Sequence, residues 1–211
     1  MSVIDIFPYL FLGHLFGDYV LQTGYIAAKK SKDIKVLGIH IGLLFLSQLV
    51  FVFGEGFGIK HFLAIAMLSG IHFLIDLIKF HCKTAFCNSW KYYLIDQLFH
   101  LLSLLSVAPF FDKVVPFLPR TVVTVGAIMI FNAYFIGILS HLIARNGTYK
   151  RDYIGYFMRM VAPITYFISV WSFLIYALLC GFLIYKKRSM FNLLNYVFTI
   201  IATITLLEVM L

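Results

Sequence analysis

Charge is what this 211-residue chain has least of. Only 12% of its residues are Asp, Glu, Lys or Arg, about half the share of an average soluble domain. That excludes a soluble globular enzyme, and a hydrophobic content of 62% excludes a disordered chain. Cysteine is also scarce. Cys82, Cys87 and Cys180 are the three present, too few to build a disulfide-stapled secreted domain. Strict apolar/polar alternation is missing, and the apolar runs are long and continuous, which excludes a porin-like barrel. No polar stretch is long enough to form an extramembrane domain. The first apolar run follows Asp5 without a basic segment before it, so it is expected to be a retained helix rather than a cleaved signal.

What is present is lipid-compatible sequence. Mean hydropathy is +0.95. Seven spans of about 20 residues would use roughly 140 of the residues. The prediction is an all-α, polytopic transmembrane bundle of about seven spans, with six to eight as the range. The expected spans are residues 4–23, 36–53, 61–80, 92–111, 121–143, a sixth within 160–185, and 191–211. Gly24 terminates the first, the Gly54–Gly58 run makes a turn, and Pro116 and Pro119 mark the loop before the fifth. Residues 1–111 form a His/Asp-bearing module, and 112–211 a set of C-terminal helices.

Seventeen Lys and Arg stand against nine Asp and Glu, for a net charge of +8. With no basic domain to bind nucleic acid, this charge reads as loops lying on anionic lipid. The loops after spans one, three and five are basic, which puts the N-terminus outside and the first loop in the cytoplasm. Lys186-Lys187-Arg188 disagrees, because seven alternating spans would leave it outside. A re-entrant piece near Pro163 is the alternative reading of residues 153–185.

The functional signal lies in the polar residues inside the apolar runs. An Asp at the centre of a membrane helix costs about 2.5–3.5 kcal/mol, and three unpaired ones would cost on the order of 8–10 kcal/mol. Span one carries His14 and Asp18, span three His72 and Asp76, and span four Asp96 and His100. Each pair is spaced i,i+4, which puts both side chains on one helix face, about 6 Å apart along the axis. Alternating topology brings the three Asp residues to one level and the His residues one turn deeper. The reversed order on span four is what convergence requires. His40, on span two, falls near the Asp level. Glycine pairs bracket two of the histidines, Gly13/Gly17 around His14 and Gly38/Gly42 around His40, as close helix approach would need. Gln22 lies a turn beyond Asp18, and Lys79 stands at the cytoplasmic rim as a phosphate contact, a counter-ion for Asp76 or a snorkelling lysine. Gln97 points elsewhere. His61 and His141 are read as interfacial, and the role of Glu208 is open. His81, Cys82 and Cys87 match no standard zinc spacing.

The segment Gly13-His14-Leu15-Phe16-Gly17-Asp18-Tyr19-Val20-Leu21-Gln22-Thr23 resembles the opening signature of a bacterial membrane family, domain of unknown function 3307. So do His40, the His72-x-x-x-Asp76-x-x-Lys79 stretch and Asp96-Gln97-x-x-His100. The resemblance covers about residues 8–105. It implies a bacterial inner-membrane protein and carries no activity with it.

Imidazole and carboxylate suit a divalent metal, zinc first and manganese or iron next. The expected ligands are His14, Asp18, His40, His72, Asp76, Asp96 and His100. One of Asp18, Asp76 and Asp96 would serve as general base, with Gln22 and Lys79 on the substrate. The leading expectation is a metal-dependent hydrolase or transferase acting on a lipid or lipid-linked molecule. The first alternative is a metal-ion or proton-coupled transporter, and the second a structural or assembly protein with a hydrogen-bonded His–Asp core. Spans one, three and four are almost purely apolar beyond the histidines, which favours a site reached from one side.

Overall fold

The computed structural model describes residues 3–144, 152–187 and 189–211. Two compact units divide the chain between Val123 and Thr124.

In the N-terminal unit, α1 (Val3–Leu15) runs into a π-helical turn, Phe16–Val20, and then stops. A short α2 (Gly24–Lys29) follows, then α3 (Ile34–Val52), α4 (Ile59–His81) and α5 (Trp90–Val107). Each start has a local cause. The Thr23 hydroxyl accepts from the Ile26 amide, the Asp33 carboxylate from Lys35 and the Ser89 hydroxyl from Tyr92; each caps an otherwise orphaned donor. The first helix is therefore shorter than predicted. Thr23 opens a new helix, Gly24 begins α2 instead of ending α1, and Gln22 sits in a non-helical turn rather than on the Asp18 face.

Helix α1 packs on α3 through glycine. A Cβ at Gly17 would lie 2.9 Å from Leu44 Cα, and one at Gly13 would lie 3.1 Å from Gln48 Cα. Ser47 Oγ donates to the Gly13 carbonyl at 2.7 Å. Gly38 and Gly42 do the opposite of what was expected: nothing lies within 4 Å of a Cβ built on either. An offset of two residues is a rotation of about 200° on a helix, so burying His40 turns both glycines outward. At the far end of the unit, β1 (Gly54–Glu55) pairs antiparallel with β2 (Val115–Pro116). A Cβ at Gly54 would run into the Val115 carbonyl, and Gly56 has φ +76°, so both positions require glycine. His61 is buried, and its Nδ1 accepts the Gly58 amide at 2.9 Å, which caps the start of α4.

Helix α6 (Arg120–Ile130) leads into the second unit. There a π-helical turn at Phe131–Phe135 continues into α7 (Ile136–Ala144), followed by α8 (Tyr153–Ile168), α9 (Val170–Lys187) and α10 (Met190–Met210). The predicted sixth span is two helices. Pro163 sits inside α8 without ending it; the break comes at Ser169, which is extended at φ −169° and ψ 154°. The Ser169 hydroxyl caps α9 by accepting from the Ser172 amide. Tyr166 packs on Phe173, and Tyr176 donates to the Met158 carbonyl, so α8 and α9 fold back as an antiparallel hairpin. The end of α9 at Lys187 thereby returns to the end of the unit where α8 begins. Of the two readings open for residues 153–185, the one in which the chain turns back is the one that agrees with this hairpin, with the corner at Ser169 rather than Pro163. Glu208 accepts a hydrogen bond from Tyr166.

Five stretches among the described residues are long and apolar enough to cross a membrane: Ile34–Val52, Ile59–His81, Trp90–Phe111, Arg120–Ala144 and Met190–Met210. Val170–Lys186 is a shorter apolar helix. Their outer faces carry bare apolar side chains such as Val50, Leu74, Leu178 and Phe182. The chain is a polytopic helical membrane protein.

The two glycine pairs give a direct contrast. Gly17→Ala is expected to cost about 1–3 kcal/mol and lower the thermal unfolding midpoint in detergent, because backbone stands where the methyl would go. Gly42→Ala should leave the midpoint unchanged or slightly raised. Equal losses for the two variants would contradict the packing described.

Candidate metal centre

Four helical segments contribute to one buried cluster in the N-terminal unit. His14, Asp18, His40, His72, Asp76, Asp96 and His100 are all buried. The imidazoles lie ring against ring: His72 stacks on His100 at 4.0 Å, and His14 is 5.3 Å from His72 and 5.2 Å from His100. His40 is 5.5 Å from His72. On α4 and α5 the i,i+4 spacing puts His72 Nε2 3.6 Å from Asp76 and His100 Nε2 3.8 Å from Asp96.

The first pair behaves differently. Asp18 lies in the π-helical turn, and among the described residues no ion pair joins it to His14. A π turn takes an extra residue per turn, which re-aims Asp18 across the bundle. Its Oδ1 is 3.2 Å from His40 Nε2, and that same nitrogen is 3.5 Å from Asp76 Oδ2.

Lys30 sits at the meeting point. Its ammonium is 3.2 Å from Asp18, 3.2 Å from Asp76 and 3.0 Å from His40 Nε2. By sequence Lys30 belongs to the basic loop after span one, with nothing to mark it as part of the site. It follows the last residue of α2, and the short cap-initiated helix is what swings it inward. Burial alone would push the Lys30 ammonium down; the Asp18 and Asp76 carboxylates outweigh this and hold it above the ordinary lysine value. An ammonium has only donors, so His40 presents its Nε2 lone pair to the same point.

The rim is a second network. Lys79 pairs with Asp96 at 2.9 Å, not with Asp76. Gln97 also turns toward the site, contrary to expectation: its Nε2 is 3.4 Å from Asp96, and its Oε1 accepts from Tyr19 at 3.0 Å. Tyr19 and Tyr93 share a hydrogen bond of 2.8 Å. Gln22 is half-buried in the turn after the π segment. Beyond the rim, Cys82 and Cys87 are joined as a disulfide and His81 Nδ1 lies 2.9 Å from the Leu77 carbonyl oxygen, so the three do not form a thiol–imidazole site.

Among the described residues, two groups of donors could hold a metal ion: Asp18, His40 and His72, and His72, Asp76 and His100. Within each group the ligand atoms lie within 4.8 Å of one another. His14 and Asp96 stand just outside these groups. Donors at about 2.0–2.2 Å from zinc are drawn together more closely than this, so side-chain movements of about 1 Å would close either group. Among the described residues, His40 Nδ1, His72 Nε2 and His100 Nδ1 are buried with no hydrogen-bond partner, an uncommon state that a water, an ion or a ligand would relieve.

The charges are not balanced as they stand. Among the described residues, Asp18, Asp76 and Asp96 face two ammonium groups, Lys30 and Lys79. With neutral imidazoles one negative charge is left over. A divalent cation in the place of Lys30 would bring the cluster to zero.

The sequence model of a family described as a protein of unknown function, DUF3307, matches residues 6–129. The chain belongs to that family. The matched stretch contains every residue of the cluster, Lys30 included. No curated protein matches the chain, and no solved structure does.

Above the histidines the bundle is less apolar than spans one, three and four suggested. Gln48, two turns beyond His40 on α3, is fully buried, and both ends of its amide lack a partner. The Ser69 hydroxyl on α4 is likewise buried and unpartnered. On helical rise both stand about 10–12 Å from the Asp level.

Proposed function

We propose that the N-terminal unit is an intramembrane divalent-metal centre serving a hydrolase or transferase, with zinc as the first candidate and manganese or iron next. The single observation that carries this reading is the position of Lys30. A cation already lies where two carboxylates and an imidazole lone pair converge, in a cluster one positive charge short. His40, His72, His100, Asp18 and Asp76 would be the ligands, and His14 would back the rings. A divalent metal there supplies a hydroxide at neutral pH or polarises a phosphoryl or carbonyl oxygen. Asp96, bonded to Lys79 at the rim, would act as general base. Lys79 and Gln22 would meet the oxyanion or phosphate of a lipid or lipid-linked substrate. Lys30 is the resident counter-ion that the metal displaces.

Elemental analysis of protein purified in detergent with metal supplementation should give close to one equivalent or more, and His72→Ala should lose it. Lys30→Met sharpens the test. In chelator-treated protein it should lower stability by about 3–5 kcal/mol, because two buried carboxylates lose their partner. With metal present it should bind at least about tenfold more tightly, since one competitor is gone. Metal content below about a tenth of an equivalent in both proteins would leave only a hydrogen-bonded core.

A second reading is transport of a metal ion or of protons, favoured by Gln48 and Ser69. Polar groups continue from the histidine level toward the opposite end, which a transit path needs. Metal or proton flux into proteoliposomes that disappears in both Asp76→Asn and Gln48→Leu would replace the enzyme reading with this one.

The site would open to the cytoplasm of a bacterial inner membrane, with the N-terminus outside. The supporting feature is the set of exposed lysines at that end, Lys29, Lys32, Lys35, Lys83 and Lys91, which anionic lipid attracts. After mild reduction, an impermeant maleimide should label Cys82 and Cys87 in inside-out vesicles and leave intact spheroplasts unlabelled; the reverse pattern inverts the orientation.

A further inference from the structure

The C-terminal unit holds a cavity that the metal centre does not use. It lies between α8, α9 and α10, is open to the outside along part of its wall and has a volume of about 240 Å³, some eight water volumes at roughly 30 Å³ each. Met158, Leu183 and Ile184 give it apolar walls. One wall is polar, and its chemistry is specific.

Asn195 and Thr199 line the cavity one turn apart on α10 and are almost wholly buried. The Asn195 amide donates through Nδ2 to the Phe191 carbonyl at 3.1 Å. That bond fixes which way the amide faces; its Oδ1 is left buried without a partner. Thr199 Oγ1 is also buried and partnerless. A helical threonine ordinarily satisfies itself on the carbonyl four residues back, and this one does not. Among the described residues, two oxygens one turn apart therefore lack a hydrogen-bond partner, and at least the amide oxygen can only accept. Leaving such groups unsatisfied costs about 1–3 kcal/mol each.

Two charges also line the cavity. Arg159 is buried and donates to the Ala133 carbonyl at 2.9 Å, a group within the π-helical turn. Asp152 stands beside it: a Cβ at Gly155 would meet the Asp152 carboxylate on one side and lie 3.0 Å from Arg159 Nη1 on the other. With a carboxylate and a carbonyl already around the guanidinium, an added anion would gain little and would face the Asp152 charge. The ligand that fits is neutral, offers hydrogen-bond donors to Asn195 and Thr199, and carries an apolar portion against Met158, Leu183 and Ile184.

We propose that this cavity binds the hydroxylated head of a neutral amphiphile, with hydroxyl groups on Asn195 Oδ1 and Thr199 Oγ1 and the start of an acyl or alkyl chain along the apolar wall. The proposal is independent of the metal centre. The test uses the full chain in phosphatidylcholine nanodiscs doped with 1-monooleoylglycerol, methyl oleate, sodium oleate or phosphatidic acid. Monooleoylglycerol should raise the unfolding midpoint by about 3 °C or more, and the other three should not. Thr199→Val removes a buried hydroxyl that has no partner, so its own midpoint should hold or rise while its affinity for monooleoylglycerol falls about tenfold. Thr199→Ser should keep the response, and Asn195→Leu supplies a second loss if the valine variant misfolds. An equal response to methyl oleate, a stronger one to either anionic lipid, or no response at all, as in a cavity that holds only water, overturns the proposal.

Discussion

Two carboxylates facing each other in the interior of a membrane bundle repel unless a cation stands between them, and the N-terminal unit is organised around that requirement. Asp18 and Asp76 come from helices far apart in sequence, and Lys30 reaches both within 3.2 Å. The capped start of α2 serves to deliver this ammonium. The Asp18 turn, the burial of His40 and the close approach of α1 to α3 at Gly17 all hold the acceptors in place around it. Pulling one element away would strand charge in a region of low dielectric, where an unpaired ion costs several kcal/mol. The same convergence gathers the two groups of buried His and Asp donors that could hold a metal ion.

Much of this was legible before any coordinates. Long apolar runs gave the spans from α3 to α5 and α10 to within a few residues. The i,i+4 spacing of His72 with Asp76 and of Asp96 with His100 gave faces that do meet. What could not be read has physical causes. Lys30 carries no periodic signal, because a residue that follows a two-turn helix is placed by tertiary geometry. The π turn at Asp18 is invisible to a count based on 3.6 residues. The outward face of Gly38 and Gly42, by contrast, was available: their two-residue offset from His40 puts them on the other side of the helix. Gln48 was available too, lying two turns from His40 on the same face.

The C-terminal unit repeats one device. Here also a π turn stands beside a buried ionic side chain, with Arg159 held on the Ala133 carbonyl. A widened turn loosens the regular ladder of backbone bonds, and a carbonyl within it becomes free to accept from outside the helix. The Ser169 break escaped prediction because Pro163 drew attention six residues too early; proline is tolerated inside α8, and the extended serine with its capping hydroxyl makes the corner.

The wide turn at Phe16–Val20 has a bearing on how the first helix can change in length. It holds one residue beyond the α-helical count, so whatever follows is rotated by about 100° relative to an unbroken helix. Removing a single residue there would yield a smoother, better-bonded helix, yet it would swing Asp18 away from His40 and leave Asp76 facing the ammonium alone. Local regularity and assembly of the centre pull in opposite directions at this point, and the chain keeps the irregular geometry.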